Sequence, residues 1–280
     1  YETVKDADRD NLTAFVREMR KYTERLGLTL SVDTLIPKPW TLEYDYAALG
    51  KTVDYVAVMT YDEYYSGSPA AGSVSSLPWV NEAIQELLTY VDGRKILMGI
   101  PLYARLWTVT PAGKPAGSKA MTMTAARELI QSKNITPRWL SETGQYYAEY
   151  TNGSNTDKIW LEDPRSLAGR LALVYTYRLA GSACWQYSQG DASAWEVFEA
   201  IYKDGASPGS YNDPYWKRLP CRRFAISILK EASPPWIWQC GIWWDSWAPI
   251  NGWATGHWFL STAGAPPVWA EGSAAACAES

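Results

Sequence analysis

A single histidine, His257, and four cysteines restrict the chemistry that these 280 residues can carry. Cys184 lies in an apolar run and reads as a small buried hydrophobe, while Cys221, Cys240 and Cys277 show no paired spacing. That leaves no Cys/His set for zinc, no histidine-based triad and no supported haem ligand, so neither a metal nor an organic cofactor is expected. Carboxylates, tyrosines and tryptophans remain. Such a set suits glycosidic bond cleavage, in which a carboxyl group protonates the leaving oxygen and neighbouring oxygens steady a cationic transition state. Aromatic faces would supply the sugar subsites. The candidates follow or close apolar runs: Tyr61-Asp62, then Tyr103 and Arg105, then Trp185-Gln186.

The elements that must position them alternate between strand and helix. Leu12, Phe15, Val16, Met19, Tyr22 and Leu26 fall three or four apart and predict a helix over Asp8 to Leu26, stopped by Gly27. Strands follow at Leu28 to Leu35, Val53 to Tyr61 and Lys95 to Pro101. The second is apolar at nearly every position, which suits a strand of a parallel sheet buried on both faces. Helices are predicted over Pro78 to Val91, Pro164 to Leu179 with Asp163 as N-cap, and Ala192 to Tyr202; the last strand is Gly181 to Tyr187. This alternation predicts a parallel α/β fold, whose active sites sit at C-terminal strand ends. Between Trp107 and Trp160 the rhythm breaks into a helix, Thr124 to Lys133, and polar, aromatic segments such as Gln145 to Tyr150, which reads as a small α+β insertion walling one side of a site.

A formal charge of −4 provides no basic field for nucleic acid or an anionic membrane, and no apolar stretch reaches the roughly 20 residues of a spanning helix. Nine of the sixteen tryptophans crowd into the last 75 residues. Residues 206–280 show no clean period, and an aromatic sugar platform and a shifted reading frame both account for them. Tyr1 stands where an initiator Met would, so the chain is expected to begin inside a longer protein.

The segments DYVAVMTYDEYYSG (Asp54 to Gly67), KILMGIPLYARLW (Lys95 to Trp107) and IWLEDPRSLAGRLALVYTYRLAGSACWQY (Ile159 to Tyr187) resemble consecutive parts of glycoside hydrolase family 18. The resemblance covers residues 1–205 and is nearest to bacterial members acting on spore or cell-wall peptidoglycan, with chitinases close behind. It implies the C-terminal half of a (β/α)8 TIM barrel, with the insertion at about 108–160, followed by the irregular Trp-rich tail. The family's DxxDxDxE motif would end at Tyr1-Glu2, making Glu2 the general acid and base. The Asp two positions before that acid, which raises its pKa, has no counterpart in the chain as given.

The resemblance further implies a substrate-assisted, retaining mechanism in which the sugar's 2-acetamido carbonyl attacks C1, so no protein nucleophile is needed. Tyr61 would hydrogen-bond the acetamido oxygen, Asp62 would orient the group, Met59 would line the floor and Trp185 would form the base of the −1 subsite. Tyr103 and Arg105 are candidates for the substrate groove. Plainer readings stand beside these: a strand-end tyrosine next to a surface Asp62, and a core tryptophan at 185. The expected partner is an N-acetylglucosamine-containing polysaccharide, peptidoglycan or chitin, cut at β-1,4 linkages, with a secreted or cell-envelope location implied by that substrate. A non-catalytic lectin on the same scaffold and a structural envelope protein are the alternatives. The start of the tail, Ser210 to Trp216, faintly resembles an S-layer homology repeat. With only part of a barrel, the chain alone is expected to be inactive or poorly folded, the activity belonging to its intact parent.

Overall fold

The computed structural model describes residues 4–41, 43–203 and 205. Glu2, the expected acid, and the Trp-rich segment 206–280 lie outside the described residues.

Helix α1 (Arg9–Arg25) ends where predicted, with Gly27 in the left-handed region at φ 65° and the Leu28 amide reaching back to the Thr23 carbonyl at 2.8 Å. Its burial corrects the predicted stripe. Leu12 and Val16 enter the core, but Phe15, Met19, Tyr22 and Leu26 stay exposed, Leu26 at 65%. Only the turn carrying Leu12 and Val16 reaches the shared core, alongside Tyr44, Tyr46 and Leu49. Strand β1 (Ser31–Thr34) follows, then α2 (Tyr46–Thr52), capped by the Asp45 carboxylate accepting from the Ala48 amide at 3.0 Å. Strand β2 (Tyr55–Val58) is buried on both faces as predicted, though shorter. Asp54 ties the start of this unit together: one carboxylate oxygen accepts from Arg20 of α1 at 2.6 Å and from the Leu30 amide at 2.8 Å.

Helix α3 (Leu77–Leu87) carries Pro78 in its first turn and buries Val80, Ala83, Ile84 and Leu87. Strand β3 (Ile96–Pro101) is buried at every position. After Leu102 alone, the chain turns into β4 (Tyr103–Val109), then β5 (Pro115–Thr122), α4 (Met123–Ser132), β6 (Arg138–Leu140), β7 (Gln145–Asn152) and β8 (Asn155–Leu161). These strands form an antiparallel sheet in the order β5-β4-β8-β7-β6, with α4 packed on one face around Ala104, Ile130, Tyr146, Ile159 and Leu161. Helix α5 (Pro164–Thr176) opens with a reciprocal capping box between Asp163 and Ser166. Strand β9 (Gly181–Trp185) and helix α6 (Ala192–Tyr202) complete the described fold.

The parallel sheet runs β1-β2-β3-β9, every neighbouring pair parallel and in chain order, with the antiparallel sheet inserted between β3 and β9. It is open, and β1 and β9 form its edges. Alternation sets its two faces. Val56, Val58, Ile96, Met98, Ile100 and Cys184 pack under the helices, whereas Asp33, Ala57, Leu97, Ala183 and Trp185 occupy the opposite face.

Candidate active site

The ends of β2, β3 and β9 carry the site, and the backbone there is held before any side chain is considered. The Met59 amide donates to the Thr34 carbonyl at 2.9 Å, and the Leu102 amide to the Trp185 carbonyl at 2.7 Å. Thr60, fully buried, donates its hydroxyl to the Gly99 carbonyl at 2.5 Å. Gly99 is required by this close approach: a Cβ there would lie 2.6 Å from the Val58 carbonyl oxygen and 2.9 Å from the Tyr61 ring. An isolated glycine inside the apolar run KILMGIP is the sequence signal that could have found it.

On this frame two contacts gather the predicted residues. The Tyr61 and Trp185 rings stack with centroids 6.3 Å apart and planes inclined by 23°. Asp62, exposed and in the left-handed region at φ 61°, accepts a 2.5 Å hydrogen bond from the Tyr103 hydroxyl. Asp tolerates that backbone conformation better than most residues because its short side chain bonds locally. Tyr103 is almost fully buried, and burial, reinforced by the Asp62 charge, pushes its pKa well above the usual tyrosine range. It is therefore a fixed donor to the carboxylate. Sequence reasoning placed Tyr103 only in a groove; its partnership with Asp62 emerges from the fold.

Arg105, two residues along β4 and on the same face, donates from Nη1 to the Ser118 hydroxyl at 3.1 Å and lies 6.0 Å from the Trp107 ring. Trp107 is buried, its indole N–H bonded at 2.9 Å to the Gly72 carbonyl of the loop between β2 and α3. The antiparallel sheet thus stands against the loop that carries Tyr61 and Asp62. Met59 is half-buried at the end of β2 and joins the cluster through its backbone. Glu2 lies outside the described residues. Among the described residues no group of three or more His, Cys, Asp or Glu side chains converges to hold a metal ion. What the cluster offers is a carboxylate held by a buried phenol, a second phenol and an indole face. That set can hydrogen-bond a polar substituent on a ring while stacking on the ring itself.

Residues 1–190 match the sequence model of a family described as glycosyl hydrolases family 18. The chain is 31% identical over 205 residues to a cortical fragment-lytic enzyme of Bacillus subtilis (strain 168), an alignment covering 70% of this chain and 47% of that protein. Among solved structures, a chitinase of Chromobacterium violaceum superposes with a TM-score of 0.65 at 26% identity, over 71% of this chain and 63% of that one. The spore cortex-lytic enzyme of Bacillus megaterium gives a TM-score of 0.64 at 25% identity, over 72% and 48%. The chain spans about half the length of the curated relatives it matches.

Proposed function

This chain belongs to glycosyl hydrolases family 18, and on that premise we propose that its strand-end cluster serves hydrolysis of N-acetylglucosamine-containing polymers, peptidoglycan or chitin, at β-1,4 linkages. The observation that carries the reading is the Tyr103 to Asp62 hydrogen bond beside the stacked Tyr61 and Trp185. One oxygen of Asp62 is occupied by Tyr103, and the other is suited to accept the N–H of a 2-acetamido group. Tyr61, beside it, donates to the acetamido oxygen. Together they press the carbonyl oxygen toward C1 of the sugar seated on Trp185.

The reaction then runs with retention. Glu2 gives its proton to the leaving glycosidic oxygen as the C1–O bond breaks, and the acetamido oxygen bonds to C1, forming an oxazolinium ion. Water attacks C1 from the opposite face, returns a proton to the Glu2 carboxylate and reopens the ring with the β configuration. Asp62 steadies the positive charge on the acetamido nitrogen, which is greater in the intermediate than in the substrate, and so acts where catalysis gains most. Met59 lines the floor, and Arg105 contributes to the substrate groove. In this reading residues 1–205 form one catalytic unit, the antiparallel segment 108–160 is its insertion, and the open parallel sheet is the C-terminal half of a (β/α)8 barrel. The retaining half-reaction needs no metal. The substrate lies in the wall or spore cortex, so action is expected outside the cytoplasm; no helix among the described residues is long and apolar enough to cross a membrane.

The test is time-resolved NMR of N-acetylglucosamine oligomers and wall fragments incubated with the full chain. The β-anomer appearing first supports the mechanism, and loss of turnover in Glu2→Gln and Asp62→Asn assigns the residues. Binding without turnover, both by this chain and by any longer protein that contains it, would favour the lectin alternative, and the α-anomer appearing first would overturn retention.

A further inference from the structure

Two deeply buried charges are tied by hydrogen bonds to the end of β2. Arg170 of α5 and Glu162, which follows β8, each have side chains only 1% exposed. They pair through two hydrogen bonds, Nη1 to Oε2 at 2.6 Å and Nη2 to Oε1 at 2.9 Å. Glu162 also accepts from the Gln145 amide at 2.8 Å and the Ser166 hydroxyl at 2.9 Å. Nη2 of Arg170 further donates to the carbonyl of Ser75.

We propose that Arg170 and Glu162 are positioning residues that set the placement of Tyr61 and Asp62 through Ser75 and Thr60. The path is continuous. Ser75, whose carbonyl Arg170 grips, donates its own hydroxyl to the Thr60 carbonyl at 2.7 Å. Thr60 immediately precedes Tyr61 and is bolted to β3 through Gly99. The arm carrying Ser75 is clamped from the antiparallel sheet as well: Ser73 donates to Gln145, Trp107 donates to the Gly72 carbonyl, and the Leu77 amide donates to the Thr143 carbonyl at 2.9 Å. It returns along the outgoing arm, with the Glu63 amide on the Val74 carbonyl at 2.8 Å and the Ser76 amide on the Glu63 carboxylate at 2.7 Å.

A buried ion pair is a weak source of net stability, because desolvation offsets most of its attraction. Its distinct property is directional: a planar guanidinium with both ends committed tolerates one geometry. Here that geometry joins two sheets and a helix to the peptide before Tyr61. Lysine could balance the Glu162 charge but could not make the fork and reach Ser75 with the same shape.

The inference rests on the reading of Tyr61 and Asp62 as substrate-holding groups, but its test does not. Tyrosine ring signals of the full chain are recorded by NMR with selective ¹³C labelling, Tyr61 being assigned with Tyr61→Phe. The Trp185 ring stacked on Tyr61 makes its signals sensitive to placement. Tyr46, packed against Tyr44 and Tyr90 and hydrogen-bonded to the Leu35 carbonyl and Thr41, serves as an internal control outside the path from Arg170 through Ser75 to Thr60. Ser75→Ala, Arg170→Met and Arg170→Lys are each expected to shift the Tyr61 signals and leave Tyr46 in place. A lower melting temperature with Tyr61 unmoved would overturn the proposal, reducing the pair to a structural role. Should Arg170→Met fail to fold, Ser75→Ala, which deletes only the hydroxyl bonded to Thr60, decides the matter. Addition of an N-acetylglucosamine tetramer to the unsubstituted chain separates the two ideas: Tyr61 signals that ignore the sugar would overturn the substrate reading and leave the positioning result standing.

Discussion

Tyr103 and Gly99 each make a claim that one substitution can check. Tyr103→Phe deletes a hydrogen bond to a carboxylate, a class of contact contributing about 1.5–3 kcal/mol. If Asp62 must be held to orient the acetamido group, turnover should fall by roughly 10- to 150-fold, the rate equivalent of that energy. The substrate's KM should change less. Steady-state kinetics of the variant beside its melting curve would check this; an unchanged kcat would remove Tyr103 from the site. Gly99→Ala acts sterically, since its Cβ would meet backbone of β2 and the Tyr61 ring inside van der Waals contact. It is expected to destabilise by roughly 1–3 kcal/mol, the range for overpacking, which chemical denaturation would measure. The residue types at this site were legible in the sequence, but their pairing was not. Asp62 and Tyr103 are 41 positions apart, and no local spacing says which phenol meets which carboxylate. Arg170 and Glu162 were silent for a related reason: they are eight positions apart, with one on a helix and the other before it, so no helical neighbour rule connects them.

Among the elements, helix α5 carries a pH dependence in its first turn. Burial, reinforced by the neighbouring Glu162 charge and opposed by the Ser166 amide, pushes the Asp163 carboxyl from its ordinary 3.8 up to about 7. Raised in the folded state, it binds more protons there than in the unfolded chain between these two values. Its stabilising contribution is therefore full below about pH 3.8 and is lost as pH climbs through about 7. The expected observation is a melting temperature with a component falling from pH 4 to 7, flattened in Asp163→Asn, a substitution that keeps a good capping residue. A slope identical in both proteins would remove Asp163 as its source. Helices with strong punctuation, such as α3 behind Pro78 and α5 behind Asp163, were readable in advance because cap and apolar stripe agree. Helix α2 was missed: seven residues are too few for a period to declare itself, and its signal is the Asp45 cap alone. In α1 the period was read correctly, but its width overstated burial, since periodicity reports which residues share a face and not how much of that face finds a partner.

For the molecule as a whole, the exposed side of α1 points to association. Met19 and Tyr22 on that helix and Leu26 just after it are exposed. Exposed apolar surface favours association. Purified chain is expected to self-associate with rising concentration, and Tyr22→Lys with Leu26→Lys should reduce that association while changing stability by no more than roughly 0.5 kcal/mol per site. Sedimentation velocity with parallel melting curves would measure both; a monomer at all concentrations would contradict the expectation.

Leu102 alone separates the parallel strand β3 from the antiparallel strand β4, and at the other end Glu162 and Asp163 bridge β8 to α5, all three buried. There is no slack at either junction. Sequence length can therefore change in the inserted sheet where the chain turns in open space, as at the hairpin tips around Gly113 and Gly153, where an added Cβ meets nothing within 4 Å. Those tips are where an affinity tag or a fluorescent reporter could be spliced without disturbing the groove. They are also where added residues could lengthen the wall and, on the proposed function, alter its reach along a polymer while the strand ends beneath stay fixed.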